Sequence, residues 1–416
     1  LENLSGLAPL TNLTKLSLAS NNIANIDHLE NFRMLRYLNL SNNEISGQVD
    51  FSNYQLWLLE DLILDDNRIN SLIGIENLPN LVYLSADRNK VRQLVCQGVR
   101  HENLKRLSLN SNILTETSLQ SFPFLKRLSF NRNNTRLVDS IGKYLEKVSF
   151  KYQGFTSSSA GAQIIQNSLR SSSHLQEACF TGSSIDFEQI DLSRGRMFST
   201  ITNLNISAMQ LTSLPASFSS IFPLLVTLNL NFNNLNTLRG LHGLKHLRKL
   251  KMLGNSIEDV SEIIEYTEAS RNSIQLFDLR VNPVTKSFYP YVFYDPEDRN
   301  EDDKNQRFEE EARSSMTNTN DGSFIDESTV LNLKDFDDIE AFSVEYEKLY
   351  SADELLRWHE KDAQFDKKQP GITSKQKKIY QTGLIVWFHN IRCLDGLKIT
   401  SKRRTHEYHQ FLKQRR

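Results

Sequence analysis

The chain has 416 residues, with 49 Lys and Arg against 50 Asp and Glu, for a formal net charge of -1. A hydrophobic fraction of 39%, a mean hydropathy of -0.45 and a longest apolar run of only residues 384–388 exclude a membrane-spanning helix. The three cysteines, Cys96, Cys179 and Cys393, lie far apart without a CxxC pair, which excludes a disulfide-rich cap and favours a reducing compartment.

In chain order, the first legible feature is a recurring strand. Leu35, Leu38 and Leu40 alternate with polar residues and share one face, Asn43 follows three residues later, and Ile45 two after that. Clear copies span 13–21, 35–43, 59–67, 81–89, 104–112 and 125–133, spaced 21 to 24 residues apart. Three weaker copies follow at 145–153, 175–183 and 201–209, where Gln153, Ser183 and Met209 replace the asparagine. Regular copies return at 225–233, 247–255 and 274–282, which makes twelve. The residues before the first copy, with Leu4, Leu7 and Leu10, read as the back half of an earlier repeat. They predict a longer parent protein whose amino-terminal region precedes Leu1.

This period and consensus resemble leucine-rich repeats. The resemblance implies an α/β leucine-rich repeat solenoid of about twelve short repeats. A parallel sheet would form its concave face, and 3₁₀ turns or short helices its convex side, because so short a repeat has no room for a full helix. A lone repeat cannot bury its leucine face; stacked neighbours bury it together. The asparagine amide carries donors and an acceptor for backbone groups that stacking would otherwise strand. Met209 lacks them, which predicts irregular stacking there.

Further along, residues 162–170 have the spacing of a short amphipathic helix (Ile164, Ile165, Leu169). Residues 257–266 do the same, with aliphatics at 257, 260, 263 and 264 on one face. The repeat stops after Asn282, Pro283 and Val284. Residues 295–340 then hold sixteen acids against five bases and few aliphatics, a composition expected of a solvated or disordered loop. Ser351 and Glu354 form a capping box ahead of Leu355, Leu356 and Trp358, predicting a helix. From Asp366 on, thirteen bases face three acids.

A bare solenoid end must be closed. Leu394, Asp395, Gly396, Leu397 and Ile399 resemble the tail of a common intracellular leucine-rich-repeat cap, displaced by about ninety residues from Asn282. The expected organisation is therefore a solenoid over 1–284, an acidic, partly disordered insertion with a short helix over 285–375, and an interrupted C-terminal cap with a basic tail over 376–416.

No catalytic or metal signature is legible. His359 and Glu360 lack a second histidine four residues on, His406 and His409 have the wrong spacing, and no phosphate loop or nucleophile motif occurs. No enzyme activity, cofactor or metal is expected. The informative surface is the concave one, where the third, fifth and seventh positions of each repeat strand are expected to face outward. There Arg106, Arg127 and Lys147 stand on successive strands beside Ser108, Ser129 and Ser149. Lys151, Lys249 and Lys251 add charge, and Tyr37, Asp61 and Tyr83 lie on the amino-terminal side. This column reads as a groove for an acidic or phosphorylated segment with tyrosine anchors, as a solvated basic face, or as a face paired with the chain's own acidic stretch. Nucleic acid is disfavoured because stacking aromatics do not interleave with the bases.

The short repeats, the stop at Asn282, the interrupted cap and the basic end together resemble one group. These are the leucine-rich-repeat domains of fungal spindle-pole-body scaffolds of the mitotic exit (septation initiation) network, related to centriolin. The resemblance implies a non-enzymatic scaffold on the outer, cytoplasmic face of the spindle pole body. It would dock a two-component GTPase-activating complex, mitotic kinases and structural proteins of the pole, and support astral microtubule organisation. A leucine-rich-repeat regulatory subunit of protein phosphatase 1 is the alternative. A splicing or axonemal adaptor is a third.

Overall fold

The computed structural model describes residues 1–94, 100–114, 116–117, 119–133, 137–138, 142–153, 172–182, 198–289 and 350–414. Cys96, Ser183, the helix expected over 162–170 and the acidic stretch 295–340 lie outside the described residues.

Among the described residues the repeats build one fourteen-stranded sheet. Its first twelve strands are those of the twelve repeats, each three residues long and parallel to the next, from Lys15–Ser17 to Leu276–Asp278. Each strand carries its central aliphatic or aromatic residue inward, between two residues that face the concavity. Leu35, Leu38 and Leu40 are fully buried, as are their counterparts Leu59, Leu62 and Leu64. On the far side the chain uses 3₁₀ turns (Leu29–Asn31, Ile75–Asn77, Arg239–Leu241) and short helices (Phe218–Ile221, Val260–Tyr266). It also uses extended pairs such as Ser46–Asp50 with Arg68–Ile73. The helix expected over 257–266 starts at Val260, capped by the Asp259 carboxylate, which accepts from the Ser261 N–H. It buries Ile257 and Ile263, but Ile264 is exposed: the real axis turns that side chain to solvent.

Each strand leaves the sheet through a residue in the left-handed region immediately before the ladder position. Asn42, Asp66, Arg88, Ser111 and Arg132 all have φ of 52–53°. Val281 adopts φ 58°, unfavourable for a β-branched residue. Gly182 holds the same place at φ 78°, and a Cβ there would fall 2.0 Å from Tyr152 Cδ1.

The ladder then closes the turn. Asn67 Nδ2 donates to the carbonyls of Leu40, Leu64 and Asp65, and its Oδ1 accepts from the Ile45 N–H at 3.0 Å. Asn43, Asn89, Asn112, Asn133, Asn233, Asn255 and Asn282 are likewise buried. Asn67→Ala strands the Ile45 N–H and the Leu40 and Leu64 carbonyls in a dry interior. It is expected to destabilise by about 1–3 kcal/mol for each group that finds no water; urea unfolding of the variant measures it.

The weak middle repeats stack more regularly than expected. Lys147–Ser149, Glu177–Cys179 and Asn203–Asn205 pair in unbroken register. Gln153 Nε2 still reaches the Phe130 carbonyl, although its Oε1 has no partner among the described residues. Met209 enters the core, and Asn233 of the next repeat accepts from both the Met209 and Leu211 N–H groups. A phenylalanine stack in place of the last leucine strengthens this region: Phe130, Phe150 and Phe180 lie with ring centroids 6.0 and 6.3 Å apart. The irregular stacking expected at Met209 is thus absent from the strands.

The cap differs from expectation in extent. Cys393–Leu394 adds to the last repeat strand in parallel register and turns back antiparallel into Leu397–Lys398. Asp395 and Gly396, at φ 50° and 76°, form the two-residue turn. Helices Ala352–Lys368, Gly371–Trp387 and Ser401–Gln414 complete it. The boundary expected at 375/376 therefore falls inside a helix. The first helix, capped by Ser351 as its sequence predicts, also belongs to the cap. Its Trp358 indole donates to the Asp395 carbonyl at 2.9 Å, and Lys377 bridges Asp362 and Asp366 at 2.7 Å each. The cap includes the helix Ala352–Lys368, because buried contacts of Trp358 and Asp362 tie it to the Asp395 turn and to the second helix.

Candidate functional site

The third-position residues form one continuous row. Tyr37, Asp61, Tyr83, Arg106, Arg127 and Lys147 are register neighbours on consecutive strands, followed by Glu177. The parallel sheet spaces them about 4.8 Å apart. The Arg106 guanidinium lies 4.6 Å from the centroid of the Tyr83 ring, and its Nη2 is 3.4 Å from Asp61 Oδ1. Lys147 Nζ pairs with Glu177 Oε1 at 2.7 Å. Arg127 stands between the two bases, exposed, with no ion pair of its own among the described residues. Exposed pairs of this kind are weak and exchange readily with an incoming anion.

Lys249 and Lys251 belong elsewhere. They share the strand Lys249–Lys251, four strands beyond Lys147 and so roughly 19 Å away. Lys251 Nζ sits 4.0 Å above the Tyr350 ring, so the chain itself covers part of this end. Lys151 occupies a seventh position, where its N–H donates to Asn131 Oδ1. One stretch of groove therefore unites Tyr37 through Lys147, with Lys151 on the same repeat as Lys147, and Lys249 and Lys251 stand apart from it.

The fifth-position serines are already engaged within the solenoid. Ser85 Oγ and the Asp87 N–H both donate to Asp65 Oδ1 at 2.6 and 2.8 Å. Ser108 and Asn110 repeat the motif on Asp87, Ser129 and Asn131 on Asn110, and Ser149 and Lys151 on Asn131. Ser108, Ser129 and Ser149 thus spend their protons on a second ladder, and the third-position bases are the exposed charges beside them. The signal was present in sequence as a column of Asp and Asn two residues after the serines. Burial raises the Asp65 carboxyl above its ordinary value, against the bonds it accepts.

A second cluster, invisible in the sequence, lies under the cap. Asp278 and Arg280 are fully buried and paired at 2.8 Å, with Tyr350 donating to Asp278 and the guanidinium 4.4 Å from the Trp358 ring centroid. Asp395 accepts from the Leu279 N–H, Tyr289 OH and Tyr380 OH at 2.7, 2.8 and 2.9 Å. Burial and the Asp278 charge push the Asp395 carboxyl up to about 7. The same burial pushes the Cys393 thiol up to about 12. This cluster is inaccessible and packs the cap on the last repeat.

Among the described residues, no group of three or more His, Cys, Asp or Glu is arranged to hold a metal, and no helix is long and apolar enough to cross a membrane. Aromatic rings do accompany the bases, contrary to the reading from sequence. Phe124, Tyr144 and His174 line the edge where the strands begin, beside Lys105, Lys126 and Lys143.

The parallel repeat strands, the asparagine ladder and the capped end define a leucine-rich-repeat solenoid, a fold that presents a continuous surface to protein partners. No protein-family model matches the chain. A stretch of 119 residues, 27% of the chain, is 37% identical to the human leucine-rich repeats and immunoglobulin-like domains protein 3, of which it covers 10%. Another, of 124 residues and 30% of the chain, is 33% identical to an uncharacterized leucine-rich repeat-containing protein of Schizosaccharomyces pombe, of which it covers 19%. The chain thus spans a tenth to a fifth of these relatives' lengths. Among solved structures it is similar to a leucine-rich-repeat protein of Leptospira interrogans at 20% identity and a TM-score of 0.41, covering 67% of this chain and 81% of that one. An internalin of Listeria monocytogenes is similar at 21% identity and a TM-score of 0.42, covering 66% and 82%.

Proposed function

We propose that the chain is the repeat domain of a non-enzymatic scaffold that holds acidic or phosphorylated protein segments on its concave face. The observation that carries this reading is the register of Arg106, Arg127 and Lys147 on three adjoining strands. Three cations about 4.8 Å apart form a short positive row that one anionic segment can lie across, and a stiff sheet holds them without further loss of backbone freedom. The likeness to fungal spindle-pole-body scaffolds supports a place on the cytoplasmic face of that body. There the scaffold would dock the GTPase-activating complex and kinases of the mitotic exit network, bind structural proteins of the pole and support astral microtubules.

Two measurements test the two levels. The triple variant Arg106→Glu, Arg127→Glu, Lys147→Glu is expected to weaken binding of a phosphoserine-containing acidic peptide at least tenfold or so by calorimetry, with the chain still folded because the three side chains lie outside the buried leucine face. Equal affinity removes the groove. The tagged full-length protein is expected as a dot at the spindle pole in dividing fungal cells; diffuse or nuclear signal removes the pole assignment.

A further inference from the structure

The geometry points to a docking strip along the strand-entry edge of the fifth to eighth repeats, for a protein segment that combines apolar side chains with Asp or Glu. The inference rests on the reading of the chain as a protein-binding scaffold and names the partner chemistry beside the basic groove.

Three rings carry it. Phe124, Tyr144 and His174 each stand one residue ahead of the first leucine of a repeat strand, at Leu125, Leu145 and Leu175. Their ring centroids are 5.4 and 5.6 Å apart. Phe124 is 41% exposed and Tyr144 39%. The same place is polar in some repeats and apolar in others, such as Met34 and Leu224. Asn80 and Asn103 use it to donate to the carbonyls of Trp57 and Pro79, and Thr200 and Ser273 to those of Leu175 and Leu247. What sets Phe124 and Tyr144 apart is that, with His174, they stand on consecutive repeats and stack into one partly exposed strip. A contiguous exposed apolar strip bordered by polar groups is the mark of an interaction surface.

The border is cationic. Lys105, Lys126 and Lys143 lie on the same edge, with Lys143 Nζ 5.8 Å from the Tyr144 centroid, and Arg127 stands one residue further into the sheet. Glu146 is already matched by Lys126 at 2.7 Å, which holds its carboxyl below the usual range. The complementary partner therefore brings negative charge as well as apolar side chains. Single-stranded nucleic acid fits less well. A base inserted between two rings needs them roughly 7 Å apart, twice the rise per base. Here the rings lie on one another, with interplanar angles of 25° and 34°. They present a continuous edge strip that suits aliphatic or aromatic side chains.

Selection from a random-peptide phage library on the intact chain tests the strip. The expected winners combine acidic residues with an aromatic or aliphatic one. The variant Phe124→Ser with Tyr144→Ser is expected to bind them about tenfold more weakly with a cooperative melting transition retained, because both side chains lie at the surface outside the leucine core. Acidic winners without apolar residues overturn the strip and leave the groove standing; winners that are not acidic overturn both. Winners that bind the double variant as tightly as the parent chain also overturn the strip. Poly(U) that binds the parent chain and displaces these peptides, but fails to bind the double variant, overturns the protein-segment assignment in favour of nucleic acid.

Discussion

Arg280→Ala is expected to lower the stability of the chain by about 3–5 kcal/mol at neutral pH, the range for breaking a buried ion pair. Among the described residues, Arg280 is the cation paired within a fully buried cluster that also holds the carboxylates of Asp278 and Asp395. Its removal leaves Asp278 with only the Tyr350 hydroxyl and the Arg280 backbone N–H as donors, and it opens a cavity under Trp358. The wild-type pair is itself imperfect, since Arg280 Nη1 has no partner among the described residues. The double variant Asp278→Asn, Arg280→Met is therefore expected to regain most of the loss, because it buries no charge without a counter-charge. Acid is also expected to rescue the single variant: lowering the pH protonates the abandoned carboxylates and removes their desolvation penalty. Urea unfolding at pH 5 and pH 8 measures both. A single variant as stable as wild type at pH 8 would show that the pair does not hold the cap.

The second large effect is the pH dependence set by Asp395. Its folded carboxyl keeps its proton up to about 7, whereas an ordinary aspartate releases it near 3.8. Between those values the folded chain binds more protons than the unfolded chain, so this group's contribution falls as pH rises, by as much as about 4 kcal/mol across the window. Asp395→Asn is expected to flatten that slope and to make the chain more stable than wild type at pH 8. Asparagine tolerates the left-handed turn conformation. Its Oδ1 can keep the Leu279 N–H, while its amide donates to the oxygens of Tyr289 and Tyr380. The difference between the two stability profiles isolates the residue from other titrating carboxyls. Parallel profiles would falsify the assignment.

Much of the scaffold was legible residue by residue. Leu35, Leu38, Leu40 and Asn43 announce a strand, its buried face and its turn, and the twelve copies announce the sheet. The third-position row was legible for the same reason: a repeat of constant register converts sequence spacing into spatial adjacency, so Arg106, Arg127 and Lys147 had to be neighbours. Where the register count ended, the reading weakened. Ser108, Ser129 and Ser149 were placed beside the bases on the outward face, but each serves a seventh-position oxygen of the preceding repeat. Lys251 was read as groove, but Tyr350, ninety-nine positions later in the chain, lies over it. Trp358 was read as part of an insertion, but it closes the cap on Arg280 and Asp395.

The sequence by itself determined the repeat, the concave row of bases and the need for a closed end. Each is a short-range pattern that stacking copies from one turn to the next. Only the tertiary structure decided where the cap begins, which bases remain available, and that Asp278, Arg280 and Asp395 share one dry pocket. Those depend on contacts that the repeat does not space, the longest of them between residues such as Leu279 and Asp395. No period in the sequence encodes them, because burial and charge pairing are set by what the returning chain covers.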